Sequence, residues 1–252
     1  MKSFWKNCIV GFTACVFLIA VYLLAQVIVG NPLIFPSFSE SVKAFFQLLG
    51  ESVFYKSLLR TLLRVFAAFG VSFIPALILA ILSYLYPTLG RFFAPVVSVL
   101  RSLPTLAVLL IILSWTSAGV APVVVAFLTL FPALYSGILA ALKQTDNGLI
   151  EMSKTYGVPL KKRIISLYLP SSAPYVLRES ASALSLSLKL VASAEVLAST
   201  ALSLGGMMQD AKLYFETQTP VLFALVIATF IVGLALESVL FAVAHFVERR
   251  VK

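Results

Sequence analysis

The sequence predicts an all-α, polytopic membrane protein with six transmembrane helices and both termini on the cytoplasmic side. Three observations predict it. Of 252 residues, 61% are hydrophobic and only 12% charged, whereas a soluble domain carries about 25% charge; mean hydropathy is +1.04. The apolar residues gather into six runs, each near the roughly 20 residues a helix needs to cross a bilayer. The basic residues lie between these runs and are dense on alternate sides, which fixes an orientation. A net charge of +9 could suggest nucleic acid, but no basic stripe interleaved with aromatics is present.

The first run covers residues 8–30 and follows Lys2 and Lys6. It is long, and no small-residue cleavage site precedes Gly30, Asn31 and Pro32, so a retained helix is expected rather than a secretion signal. Cys8 and Cys15 fall inside it, with no metal-ligand spacing and no disulfide role. After Pro32 and Pro36, the run Ser39-Glu40-Ser41-Val42 opens an amphipathic segment. Val42, Phe45, Phe46 and Leu49 share one face, as in a helix lying on the outer membrane boundary. Residues 1–57 are therefore read as one helix plus an external amphipathic segment. The remaining spans are predicted at 61–86, 93–115, 119–142, 173–197 and 220–246.

With the N-terminus inside, the inner segments hold Lys2, Lys6, Arg91, Lys143, Lys154, Lys161, Lys162, Arg163, Arg249, Arg250 and Lys252. The outer ones hold Lys43, Lys56, Arg60 and Lys212, offset by Glu40, Glu51, Asp210 and Glu216, with Arg64 at the outer end of the second span. This excess places the polar island 146–170, DNGLIEMSKTYGVPLKKRIISLYLP, on the cytoplasmic side. The island predicts two short helices broken by a bend at Gly157, with Pro159 in the first turn of the second.

The order Glu151, Gly157, an aliphatic turn at Ile164 and Ile165, then Leu169-Pro170 resembles the cytoplasmic coupling loop of ABC-importer permeases. Two alanines often follow the Glu in that family; here Met152 and Ser153, both compatible with a helix, stand there. The run Leu100-Arg101-Ser102-Leu103-Pro104 is similar to the family's Leu-Arg-x-Ile-Pro segment, and Ala194-Glu195 to the Ala-Glu of its fifth span, which implies for Glu195 a gate or a polar packing group. The resemblance covers about 58–250 and is greatest to the branch handling nitrate, sulfonates, taurine, bicarbonate and thiamine-precursor pyrimidines. It implies a type I permease domain over 58–250 with the coupling loop at 146–170. It further implies a second permease copy, most simply a homodimer, a cytoplasmic ABC ATPase dimer carrying ATP and Mg, and an external binding protein that delivers a small solute. No cofactor is expected on this chain, and the location implied is the bacterial cytoplasmic membrane. In this reading Glu151, Gly157, Pro159, Leu169 and Pro170 form the ATPase-coupling loop.

The residues show no catalytic apparatus: no phosphate-binding Gly-x-x-x-x-Gly-Lys, no His-Glu-x-x-His and no Gly-x-Ser-x-Gly. The single histidine, His245, has no companion ligands and reads as interfacial. The fifth span is rich in small residues, including Ser180, Ser182, Ser185, Ser187 and Ser193, which suits close packing, a polar route, or both. Lys189 near mid-depth contacts an anionic solute or pairs with a neighbouring carboxylate. Lys189, Glu195, Ser185 and Ser193 are the pathway candidates. Arg178 and Glu237 are placed at comparable depth as a candidate ion pair, Glu237 about 12 Å from the inner end of its span. Pro104 is expected to kink or restart the helix in the third span, and Gly205-Gly206 to form a turn or cap. The alternative is a secondary transporter driven by an ion gradient, which would show paired inverted repeats and broken helices. A non-transporting scaffold would not need so many charges within spans.

Overall fold

Every regular element among the described residues is helical. The structure is a computed structural model describing the backbone of residues 2–251 and the side chains of residues 13, 16, 17, 19–215 and 217–249. The side chains of Lys2, Lys6, Cys8, Cys15, Glu216, Arg250 and Lys252, assigned above, lie outside the described residues.

Helix α1 (Lys2–Val29) stops at Gly30, whose φ of +60° is one that side chains resist. Helix α2 (Phe38–Leu48) begins one residue earlier than Ser39, because Ser37 caps it. The Ser37 hydroxyl accepts from the Glu40 amide at 3.2 Å, and the Glu40 carboxylate accepts from the Ser37 amide at 2.9 Å, a reciprocal capping box. These bonds from Ser37 hold the Glu40 carboxyl below the usual carboxylate range. Their contribution is present above that range and is lost as pH falls through the lowered value. The face of α2 buried within the protein is Ser41, Ala44 and Leu48; of the apolar face read from the sequence, Phe45 and Leu49 are partly buried against the same cluster and Phe46 is 67% exposed. The polar Ser41 goes inside because Tyr22 of α1 meets it at 2.8 Å. The Tyr22 ring packs on Phe35, Phe38 and Phe223, binding α1 and α2 to the last helix.

Helix α3 (Ser52–Leu85) spans 34 residues, starting well before the predicted 61–86. Its buried positions are Phe54, Ser57, Thr61, Val65, Ala68, Ser72, Ala76, Ala80 and Ser83, spaced by threes and fours down one face. Most are small, so neighbouring backbones can come close, as membrane helices need when no hydrophobic effect drives them together. The expected third span over 93–115 is not one helix. Helices α4 (Pro87–Ser102) and α5 (Thr105–Trp115) meet at 89°. Pro104 lacks an amide proton and drives Leu103 into an extended conformation, φ −65° and ψ 128°, which ends α4.

Helix α6 (Ala121–Leu142) returns against α3. Then come α7 (Asn147–Thr155), α8 (Leu160–Arg163), a π-helical turn (Ile164–Tyr168), α9 (Leu169–Leu197), α10 (Leu204–Leu213) and α11 (Phe215–Val251). Among the described residues, four helices are long and apolar enough to cross a membrane: Ser52–Leu85, Ala121–Leu142, Leu160–Leu197 and Thr217–Arg249. The bent pair α4–α5 makes a fifth if it counts as one span, and α1 contributes the shorter apolar stretch Ile19–Val29.

The core lies where α3, α6 and α9 meet, with Val65, Ala76, Leu130, Leu134, Leu188 and Val191 buried together. Ser187 of α9 donates to the Val65 carbonyl at 3.2 Å. At the opposite end from the 146–170 loop, α2 and α10 cap the bundle with Leu48, Phe54, Leu204 and Leu225. Ala76 is fully buried in the α3 seam, so Ala76→Leu should overpack it by about 1–3 kcal/mol. Thermal unfolding of the purified chain in detergent checks this; an unchanged midpoint contradicts the seam.

Candidate functional site

The bend of the 146–170 loop follows from a complete helix stop. Asp146 caps α7, accepting from the Gly148 amide at 2.8 Å. At the far end Val158 donates to the Ser153 carbonyl and Gly157 to the Lys154 carbonyl, both at 3.0 Å. This is a Schellman motif, and it requires the left-handed φ of +65° that Gly157 adopts. Pro159 sits one position earlier than expected, capping α8 rather than inside its first turn, because its ψ of 147° is extended. The second arm is not a separate short helix. Through the π turn it runs unbroken into α9, helical from Leu160 to Leu197. Pro170 explains the wide turn: it has no amide proton and its ring crowds the carbonyl four residues back, and Leu169 instead donates to Ile164, five residues back.

On α7, Ile150 is buried while Leu149, Met152 and Tyr156 are exposed at 42%, 53% and 80%. They are spaced by three and four and share a face. Glu151 and Gly157 are exposed beside them, and Leu160 and Ile165 extend the apolar surface onto the second arm. Pro159, Lys161, Lys162, Ile165 and Ser166 border a shallow depression of about 390 Å³ there.

Three of the four pathway candidates share one cavity. Ser185, Lys189 and Ser193 line a space of about 310 Å³ between α9, α10 and α11, and Glu237 lines it from α11. Lys189 and Ser193 are exposed, and with Ser182 they draw a stripe along α9 that is polar except for the exposed Leu186. Glu195 is elsewhere. It is fully buried, and Arg64 of α3 meets it at 2.9 Å. Thr61 donates to it at 2.8 Å, and the Gly205 amide at 3.2 Å. It is a knot between α3, α9 and α10, not a cavity-lining group.

Arg178 pairs with Glu248 at 2.5 Å, not with Glu237. Gly233 of α11 packs against Ser185 and Leu188 of α9, which sets the register of these antiparallel helices. In that register Glu237 lies level with about residue 182 or 183, roughly 7 Å along the axis from Arg178. Arg101, at the end of α4, donates to the Pro132 carbonyl at 3.2 Å and so braces the α4–α5 corner against α6. Gly205 and Gly206 do not form a turn: they open α10, capped by Ser203 accepting from Gly206 at 2.8 Å. A Cβ on Gly205 would collide with Glu195 and lie 2.5 Å from the Ala192 carbonyl oxygen. Glycine is needed there for close approach.

Residues 76–252, well over half of the chain, match the family described as the binding-protein-dependent transport system inner membrane component. The chain belongs to that family. A protein of Methanocaldococcus jannaschii named as an ABC transporter permease is 24% identical over 224 residues, covering 87% of this chain and 83% of the relative. The fold matches a chain of the MetNI methionine ABC transporter, from a study of its inward-facing conformations, with a TM-score of 0.66 at 20% identity over 77% of this chain and 95% of that one. It also matches an amino acid ABC transporter with histidines, at TM-score 0.61 and 18% identity over 79% and 94%.

The permease thus carries a bent loop at one end and a charged cavity along α9. The sequence reading missed the Arg64–Thr61–Glu195 knot, although a signal was present: opposite charges near the outer ends of two spans, neither tolerable alone in lipid. It also missed Gly137, where a Cβ would lie 2.6 Å from a Glu179 carboxylate oxygen. Glu195→Ala should cost about 3–5 kcal/mol, because Arg64 loses its partner at a largely buried position. The double change Arg64→Met with Glu195→Leu should recover most of it. Unfolding midpoints for the set check this, and additive losses contradict it.

Proposed function

We propose that this permease is the membrane-spanning subunit of an ATP-driven importer and that its 146–170 loop is the seat of a separate ATPase dimer. The apolar stripe Leu149, Met152 and Tyr156 carries the reading. It lies outside any spanning helix, flanked by Lys154, Lys161 and Lys162, where lipid cannot cover it and water should not. A groove on a folded partner would cover it, and Glu151 beside it would add a charge-matched contact. Nucleotide and Mg belong to that partner.

In this reading α1 supplies a sixth span, and both termini and the loop face the cytoplasm, as the basic inner segments favour. A second copy faces the exposed polar stripe of Ser182, Lys189 and Ser193, since lipid would not solvate a lysine at that depth. An external binding protein delivers a small solute into the path between the copies, across the inner membrane of a bacterium. Lys189 supports a negative group on that solute, and Glu237 on the same cavity adds a requirement for balancing charge or hydroxyls.

Gly157→Pro removes both the positive φ and the amide that bonds Lys154, and Glu151→Arg reverses the exposed charge. Either should abolish copurification of the ATPase, while Gly157→Asn, which tolerates left-handed φ, should retain it. Uptake that continues without any ATPase and collapses with the proton gradient would instead establish an ion-driven carrier. Lys189→Ala should lower uptake about tenfold, as expected for one lost charge-assisted bond, with ATPase copurification intact. Unchanged uptake removes Lys189 from the path.

A further inference from the structure

We infer that the permease holds an anionic phospholipid in a basic recess at the coupling-loop end of the bundle. The recess, about 640 Å³, is walled by the ends of α3 and α6 and by one face of α4. Arg91, Arg101 and Lys143 line it, and no carboxylate does. None of the three joins either of the ion pairs formed among the described residues. Arg101 spends one N–H on the Pro132 carbonyl, leaving the rest of its fork free of any carboxylate. The hydroxyls of Ser98 and Ser136 add polar edges. Lys143 lies three residues before Asp146, so the recess is on the loop side of the membrane.

The other face of α4 is independent evidence. Leu89, Phe92, Val96 and Val99 follow one another by threes and fours and are 36%, 66%, 45% and 60% exposed, and Leu103 continues the line at 37%. A helix with cations on one side and a bare apolar stripe on the other is built for the boundary between headgroups and acyl chains. Three uncompensated cations at a low-dielectric boundary attract an anion, and guanidinium groups fit a phosphate in bidentate fashion. Basic recesses between membrane helices take anionic headgroups on this ground. A free phosphate would satisfy the cations and leave the stripe bare. A second copy of the chain would cover the stripe but would have to bring a carboxylate to the recess. A phospholipid with a net negative headgroup does both, with the phosphate among Arg91, Arg101 and Lys143 and one acyl chain passing around the side of α4, a helix about 10 Å across, onto Phe92, Val96 and Val99. This inference rests on the membrane family of the chain and not on the proposed ATPase seat, orientation or solute.

The test uses the full chain in detergent, stripped of lipid and titrated with phosphatidylglycerol or phosphatidylcholine, with bound lipid counted by native mass spectrometry. Phosphatidylglycerol should bind at least tenfold more tightly than phosphatidylcholine. Arg91→Gln with Lys143→Gln, both exposed and without ion pairs among the described residues, should weaken it about thirtyfold, as expected for two surface cations. Phe92→Gln with Val99→Gln should weaken phosphatidylglycerol while leaving the affinity for water-soluble glycerophosphate unchanged, which a globally unfolded variant could not do. Equal binding of the two lipids, or retention by the charge variant, overturns the inference. So does displacement of lipid by millimolar inorganic phosphate, which marks a small-anion site. A disulfide between copies formed efficiently by Phe92→Cys overturns it too, because the stripe is then a protein interface.

Discussion

Glu195 has no exposed surface, and its two carboxylate oxygens accept from Arg64, Thr61 and the Gly205 amide. A lone carboxylate in the interior of a membrane bundle would be intolerable, so these donors come together or the helices do not pack. Thr61 does double duty, accepting from the Leu204 amide at 3.0 Å while donating to Glu195. The first turn of α10 is therefore fixed on the same carboxylate that fixes α3 to α9. Gly205 must lack a side chain for that approach, and the preceding loop accepts positive φ at Ser199 and Leu202, both 48°, to reach it. One buried charge thereby dictates a glycine, a strained connection and the relative height of three helices.

At the opposite end of α9 the constraint is continuity. From Leu160 to Leu197 the chain is helical throughout, so the second arm of the loop and the Lys189 cavity belong to one rod. A rod transmits axial displacement where a flexible linker would absorb it. The π turn is the one irregularity, and it keeps the rod intact past Pro170 by shifting to bonds five residues back. Arg178–Glu248 then ties the rod to α11 near the loop end, and the close contact of Gly233 with Ser185 and Leu188 ties it at mid-length. A partner gripping Tyr156 and Ile165, as the proposed ATPase would, would move α9 and α11 together.

Most of the fold was legible because hydropathy and charge report directly on the bilayer. The apolar runs behind α3, α6, α9 and α11 are too long for any other use, and Gly157 announced its bend through the residue types on either side. What escaped the sequence depended on register or on competition between local rules. Pro104 could kink a span or end it, and a 89° corner follows only once Leu103 becomes extended. The pairing of Arg178 with Glu248 rather than Glu237 depended on the axial offset of α9 against α11, a length that hydropathy smears over several residues. The buried face of α2 went to Ser41 and Ala44 because Tyr22, distant in sequence, offers a hydroxyl there. In the candidate site, the loop residues were readable one by one, while the shared cavity of Lys189 and Glu237 needed two helices at a known height.

Three of the exposed surfaces among the described residues differ in their surroundings, and neighbouring charge decides what each can accept. The α7 stripe of Leu149, Met152 and Tyr156 has Lys154, Lys161 and Lys162 close by in sequence, so the cover that suits it is both apolar and water-compatible, as a protein surface is. The α9 stripe is polar except for Leu186 and includes Lys189 at mid-depth, which disfavours lipid and suits water, solute or another polar helix. The α4 stripe is wholly apolar and backs onto cations, a pairing of surfaces that a fatty acyl chain and its phosphate meet in a single molecule. Exposure alone could not separate these cases, since Met152, Lys189 and Phe92 are all exposed. What separates them is the chemistry a few ångströms away and the depth at which it is held.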